Sequence, residues 1–276
     1  MGNLLEVRGL TVSFGGARAV DEVSFQVSPG ERVGLIGESG SGKSMVCLAV
    51  QGLQPRIADV SGSVVLEGEA VHARDHARWR TLRGRRIGTV FQEPMTALNP
   101  VMTIGAQLTT ALRHHGIVGR REAGQRAVDL AAMVGLPDPR HIVTRYPHQL
   151  SGGQRQRVVI AMALSCEPAL VLADETTTAL DATVARKVLE LMVRLCEDVG
   201  SALLLVTHDM GVAASTCERL MVMRRGLMVE QGTTAALLAQ PRHDYTRNLV
   251  AAARSTGLDL EGARALLAAR AGRNHD

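Results

Sequence analysis

The sequence predicts an α/β fold with a mainly parallel central sheet, an antiparallel β subdomain at its start and an α-helical subdomain inserted in its middle. Three observations predict it. Short continuous apolar runs of buried-strand length, residues 170–173 and 203–206, alternate with helical stretches. The opening residues alternate apolar and polar with the period of a half-buried strand. Residues 103–164 carry mostly helical patterning.

Taken in order, Leu5, Val7, Leu10, Val12 and Phe14 lead to a turn at Gly15-Gly16, and Val20, Val23, Phe25 and Val27 return as an antiparallel partner. Pro29-Gly30 is a turn, and residues 32–36 form a short apolar strand. A glycine-rich loop follows, then a helix over residues 43–53. Residues 64–66 and 87–91 read as further strands. Residues 220–223 and 227–229 form a last hairpin around Arg225-Gly226. The expected organisation is one domain over residues 4–250, with the helical subdomain at 93–160, and a short Ala- and Arg-rich tail over 251–276.

Composition narrows the class. Of 276 residues, 46% are hydrophobic and 21% charged, which supports a sizeable core and excludes a disordered chain. Aromatic residues are only 2%, so Leu, Val, Ala, Ile and Met must fill that core. The net charge of +4 suits an anionic ligand or an anionic membrane surface and is too weak to argue for a nucleic-acid partner. The densest basic run, Arg74 through Arg86, reads as a solvated helix face. Cys47, Cys166, Cys196 and Cys217 are too scattered for a metal or cluster site and are expected as buried free thiols, with neither iron–sulfur cluster nor structural zinc. The start of the chain carries no signal-peptide pattern, and no apolar run reaches membrane-spanning length. The expectation is a soluble, cytoplasmic protein; at a membrane, other chains would supply the spans.

The chemistry begins at Gly37-Glu38-Ser39-Gly40-Ser41-Gly42-Lys43-Ser44, which matches GxxxxGK[ST] between an apolar strand and a helix. Glycines let successive backbone N–H groups face phosphate oxygens, and the following helix aims its positive end at them. Lys43 would reach the β and γ phosphates, and Ser44 would offer its hydroxyl to Mg²⁺. A hydrolytic site also needs carboxylates. The strand Leu170-Val171-Leu172-Ala173 ends in Asp174-Glu175, whose side chains point to opposite sides and can take different tasks. Asp174 would hold Mg²⁺, and Glu175 would polarise the attacking water. His208 follows the apolar run 203–206 and, at a strand's carboxyl end, would contact the γ-phosphate and the water.

Leu150-Ser151-Gly152-Gly153-Gln154, together with these elements, resembles the ABC transporter nucleotide-binding domain over residues 4–250. The resemblance implies a phosphate-loop NTPase (RecA-like) core. It also implies a head-to-tail dimer with a second ABC ATPase, identical or paralogous, that sandwiches two ATP molecules. Ser151, Gly152, Gly153 and Gln154 would meet the γ-phosphate held by the opposite subunit. Phe14 would stack on adenine, Gln92 would sense Mg²⁺ and water and move the helical subdomain, and Asp181 would couple the two sites. Thr176 stands where the family usually has Pro after the catalytic Glu; it removes a backbone constraint but no catalytic atom.

A finer resemblance, to ATPases of the peptide and nickel importer group, rests on FQEPMTALNP (91–100), YPHQLSGG (146–153) and PRHDYTR (241–247), where Asp244 replaces the usual Pro. It implies two permease subunits, an extracytoplasmic binding protein and a peripheral place on the cytoplasmic membrane face. The implied cargo is a short peptide, nickel or a metal–chelator complex, the short cysteine-free tail tilting slightly toward compact members such as nickel and metallophore importers. An exporter subunit is the alternative. A soluble repair or translation ATPase is disfavoured because such proteins usually carry two ATPase domains or a long insertion, and a non-hydrolysing module because Glu175 and His208 are both present.

Overall fold

The computed structural model describes residues 2–91, 94–175 and 182–255. In chain order the elements are β1 (Leu5–Phe14), β2 (Ala17–Val27), β3 (Arg32–Ile36), α1 (Lys43–Val50), β4 (Asp59–Leu66), β5 (Glu69–Val71), α2 (His76–Leu82), β6 (Ile87–Val90), α3 (Pro94–Ala97), α4 (Ile104–Leu108), α5 (Thr110–His114) and α6 (Ala123–Met133). They continue with α7 (Pro139–Ile142), α8 (Gly152–Leu164), β7 (Leu170–Asp174), α9 (Ala182–Val199), β8 (Ala202–Thr207), α10 (Met210–Thr216), β9 (Arg219–Arg224), β10 (Leu227–Thr233), α11 (Thr234–Ala239) and α12 (Asp244–Ser255). These fall into two compact units. Unit 1 holds the described residues up to His76 and from Leu204 onward, and unit 2 runs from Ala77 to Leu203.

Unit 1 contains the expected antiparallel subdomain, a sheet in the order β2-β1-β4-β5. Leu5 pairs with Val27 and Phe14 with Ala17 across the Gly15-Gly16 turn. Alternation then buries Leu5, Val7, Leu10 and Val12 while their neighbours stay wetter. The strand expected at 64–66 is longer, and β5 was not foreseen; its three residues carry too little pattern to read. The same unit holds β10, β9 and β3 side by side, β9 and β3 in parallel, with β8 next in order. All five residues of β3 are buried, the signature of a strand covered on both faces. Two ion pairs fix its start to β9: Arg32 to Glu218 at 2.6 Å and Arg219 to Glu31 at 2.7 Å. The β9–β10 hairpin turns at Arg225 and Gly226, both with positive φ, as a two-residue type I′ turn requires.

The helix expected over 43–53 stops at Val50. Gly52 takes φ +64°, its N–H donates to Ala49, and the Leu53 N–H closes back on Leu48 at 2.8 Å. This is a Schellman ending, which the glycine sets three residues earlier than apolar patterning suggests.

In unit 2, β6 and β7 pair in parallel, from Ile87 with Leu170 to Val90 with Ala173. The helices α4, α6 and α8 pack on one another, and α8 also packs on β6. The helical stretch expected at 93–160 lies inside this unit. The basic run differs from the expectation of one solvated helix face. The helix is only α2, whose Trp79 and Leu82 are buried, and Arg83, Arg85 and Arg86 lie beyond its end. Burial lowers the Arg83 pKa, with the Arg80 charge adding to the shift. Cys47, Cys196 and Cys217 are buried, whereas Cys166, in the turn after α8, is only half-buried. Burial holds the Cys217 thiol well above its ordinary range. Among the described residues, no helix is long and apolar enough to cross a membrane, and no group of three His, Cys, Asp or Glu could hold a metal ion.

Candidate functional site

The phosphate loop, Phe14 and His208 belong to unit 1. The chain leaves buried β3 at Gly37 and enters α1 through Gly42, which caps the helix at φ 103° and offers no side-chain hydrogen bond to it. Lys43 is buried, and its ammonium donates to the carbonyls of Gly37 at 2.8 Å and Glu38 at 2.9 Å. The Ser41 N–H closes on the Glu38 carbonyl at 3.1 Å, and the Gly226 N–H donates to the Ser41 carbonyl at 3.0 Å. The loop is therefore a wound backbone cradle braced by the β9–β10 turn.

Two close approaches require glycine here. A Cβ at Gly37 would lie 2.3 Å from the Met223 carbonyl oxygen, and one at Gly42 would lie 2.5 Å from that of Ala19. The second contact seats β2, and with it the hairpin carrying half-buried Phe14, against the loop.

The cradle fits a phosphate. The Ser41 hydroxyl is buried with no hydrogen-bond partner, a state that costs about 1–3 kcal/mol and that an anionic oxygen would relieve. Ser39 and Ser44 are exposed at the mouth. His208 is exposed just after β8, and the next residue fixes the chain there: Asp209 caps α10 by accepting the N–H groups of Gly211 at 2.7 Å and Val212 at 3.1 Å.

Unit 2 carries the carboxylates and the signature. Asp174 ends β7, and Glu175 follows with φ +45°; both are half-buried. A left-handed backbone is uncommon outside glycine and clusters at functional sites. Ser151 caps α8. Its hydroxyl accepts the Gln154 N–H at 3.3 Å, and the Gln154 carboxamide oxygen accepts the Ser151 N–H at 2.9 Å, a closed capping box. Ser151 and Gly152 are exposed, so the helix presents its positive end to solvent. Gln92, Thr176 and Asp181 lie outside the described residues.

One residue of the site was not foreseen as such. Tyr245, buried on α12, accepts the Glu38 N–H of the phosphate loop at 2.9 Å, and Arg224 lies 5.0 Å from its ring centroid. The only sequence signal was its place in PRHDYTR, which carries no spacing that points to the loop.

A family model described as ABC transporter matches residues 20–178. An oligopeptide transport ATP-binding protein of Bacillus subtilis is 46% identical over 91% of this chain and 78% of its own length. A protein of Sinorhizobium fredii named "Probable peptide ABC transporter ATP-binding protein" is 44% identical over 90% of this chain and 76% of its own. Among solved structures, an ATP-binding cassette captured as a post-hydrolysis dimer with ADP and Pi superposes with a TM-score of 0.73 at 30% identity, covering 83% of this chain and 98% of that one. With the phosphate loop and the capped signature helix on one polypeptide, these matches show that the chain belongs to the ABC transporter family.

Proposed function

We propose that this chain binds and hydrolyses ATP to energise an importer of short peptides. The observation that carries the reading is the phosphate loop, a braced cradle with a buried, unpartnered Ser41 hydroxyl and a buried lysine at its base. Lys43 would exchange its carbonyl partners for phosphate oxygens. The Ser44 hydroxyl and the Asp174 carboxylate would hold Mg²⁺, which takes hard oxygen donors, and when bound the ion would neutralise developing phosphate charge. Gln92 would be a further ligand. Glu175 would orient and polarise water, His208 would contact the γ-phosphate, and Phe14 would stack on the base.

The signature Ser151, Gly152, Gly153 and Gln154, exposed at its first two residues, supports a head-to-tail pair with a second ATPase, a copy or a paralogue, with Asp181 at the coupling position. Ser151→Arg should abolish ATP-dependent pairing through bulk and charge at the docking point. Sizing and crosslinking of the hydrolysis-deficient Glu175→Gln background reads this, and pairing that survives Ser151→Arg would remove the signature from the interface. The proposed setting is the cytoplasmic face of a membrane, with two permease subunits and, through them, an extracytoplasmic binding protein.

The names of the relatives favour peptides as cargo. Cells lacking this chain should lose uptake of labelled di- and oligopeptides. Loss of nickel uptake alone, free or chelated, would move the cargo to a metal. A loss confined to a sugar or single amino acid would sink the assignment and leave only the ATPase.

A further inference from the structure

We propose that Tyr245 is a positioning residue of the phosphate loop, through which the C-terminal element sets nucleotide affinity. The inference rests on the nucleotide-site reading and adds to it a residue 207 positions away in sequence. The Glu38 peptide is held on both sides. Its carbonyl accepts from Lys43 and from the Ser41 N–H, while its own N–H donates to the Tyr245 hydroxyl oxygen. An N–H engaged by a phenol is withdrawn from the phosphate, so Tyr245 fixes the loop's entry and leaves the glycine-rich remainder to meet the anion.

The element carrying Tyr245 is anchored as if to deliver it. The Glu230 carboxylate on β10 accepts the Arg242 N–H at 2.8 Å and the His243 N–H at 3.0 Å. The His243 Nδ1 accepts the Tyr245 N–H at 3.1 Å. Arg247 donates to the Arg242 carbonyl at 2.7 Å and pairs with Asp244, the residue that departs from the group's usual proline. Arg224, on the strand whose Met223 carbonyl walls Gly37, caps the ring from one face. All of these contacts lie within unit 1, so displacement of α12 is transmitted to the Glu38 backbone.

Tyr245→Phe removes the acceptor and keeps the ring. The expected result is a roughly 3- to 10-fold rise in the Kd and KM for ATP, the usual worth of one hydrogen bond, with kcat at saturating ATP near that of the parent protein. Hydrogen exchange on the nucleotide-free protein gives an independent reading: the Glu38 amide should exchange faster in the variant, and amides of β1 should not. Arg224→Gln keeps the phenol bond and should shift affinity less. ATP binding by the parent protein tests the nucleotide site itself, and only the difference between parent and variant tests Tyr245. Unchanged ATP affinity and unchanged Glu38 exchange would overturn the proposal. So would a lowered Tm with unchanged KM, because Tyr245 would then be only a core residue. If Tyr245→Phe fails to fold, Glu230→Ala decides, because it releases the Arg242 and His243 N–H groups that anchor the element and leaves the phenol in place: ATP affinity and Glu38 exchange both equal to the parent's would also overturn the proposal.

Discussion

Replacing Glu175 by Gln should leave ATP binding intact and lower turnover by about 10²- to 10⁴-fold, the usual worth of a positioned base. The substitution keeps side-chain shape and removes the negative charge that would polarise water. Glu175 sits where the chain leaves β7, after the buried run Leu170 to Ala173, in a left-handed backbone that costs about 1–3 kcal/mol outside glycine. Glu175 is half-buried rather than part of the core. Binding of a fluorescent ATP analogue and phosphate release, measured side by side, separate the two effects. Turnover within a few-fold of the parent would take Glu175 out of the mechanism.

The second large effect is expected at Gly37. Alanine there puts a methyl 2.3 Å from the Met223 carbonyl oxygen and 2.6 Å from the Ser41 hydroxyl, and the first of these is strand backbone that cannot rotate away. The overpacking should cost about 1–3 kcal/mol of stability and push the loop off β9, and ATP affinity should fall by more than tenfold with it. Gly40 is the control. A Cβ there meets nothing within 4 Å, so Gly40→Ala should carry only its left-handed backbone penalty, about 1–2 kcal/mol. Thermal unfolding with and without ATP compares them. Parent-like stability and affinity for Gly37→Ala would contradict the close packing of loop against strand.

Local features were the legible ones. The phosphate loop, the strand ending in Asp174-Glu175 and the Arg225-Gly226 hairpin each announce themselves within about ten residues, because turn chemistry and strand period are local rules. The antiparallel opening was readable for the same reason. What stayed hidden depends on contacts distant in sequence. Nothing near Tyr245 shows that it meets Glu38, and nothing near Ala19 shows that its carbonyl abuts Gly42. The end of α1 at Val50 was missed because apolar residues continue past Gly52, where backbone conformation overrides pattern. The run from Arg74 to Arg86 looked like a surface helix because its basic residues dominate the eye, while the buried Trp79 decides the packing. Cys166 was expected inside from its apolar context, but it lies in the turn after α8, where Glu167 takes a left-handed φ of 51°.

The capping box at Ser151 and Gln154 has a kinetic consequence. An uncapped helix end frays on nanosecond to microsecond timescales and must rewind before anything can dock on it. Here the two side chains satisfy each other's backbone partners without help from a second molecule, so the end stays wound in the lone subunit. In the proposed head-to-tail pair, a subunit that has just parted from its neighbour would need no refolding before it re-engages. Its reassembly would then be expected at about 10⁵–10⁷ M⁻¹s⁻¹, the range of preformed surfaces limited by collision and orientation, rather than at the rate of a rare folded state.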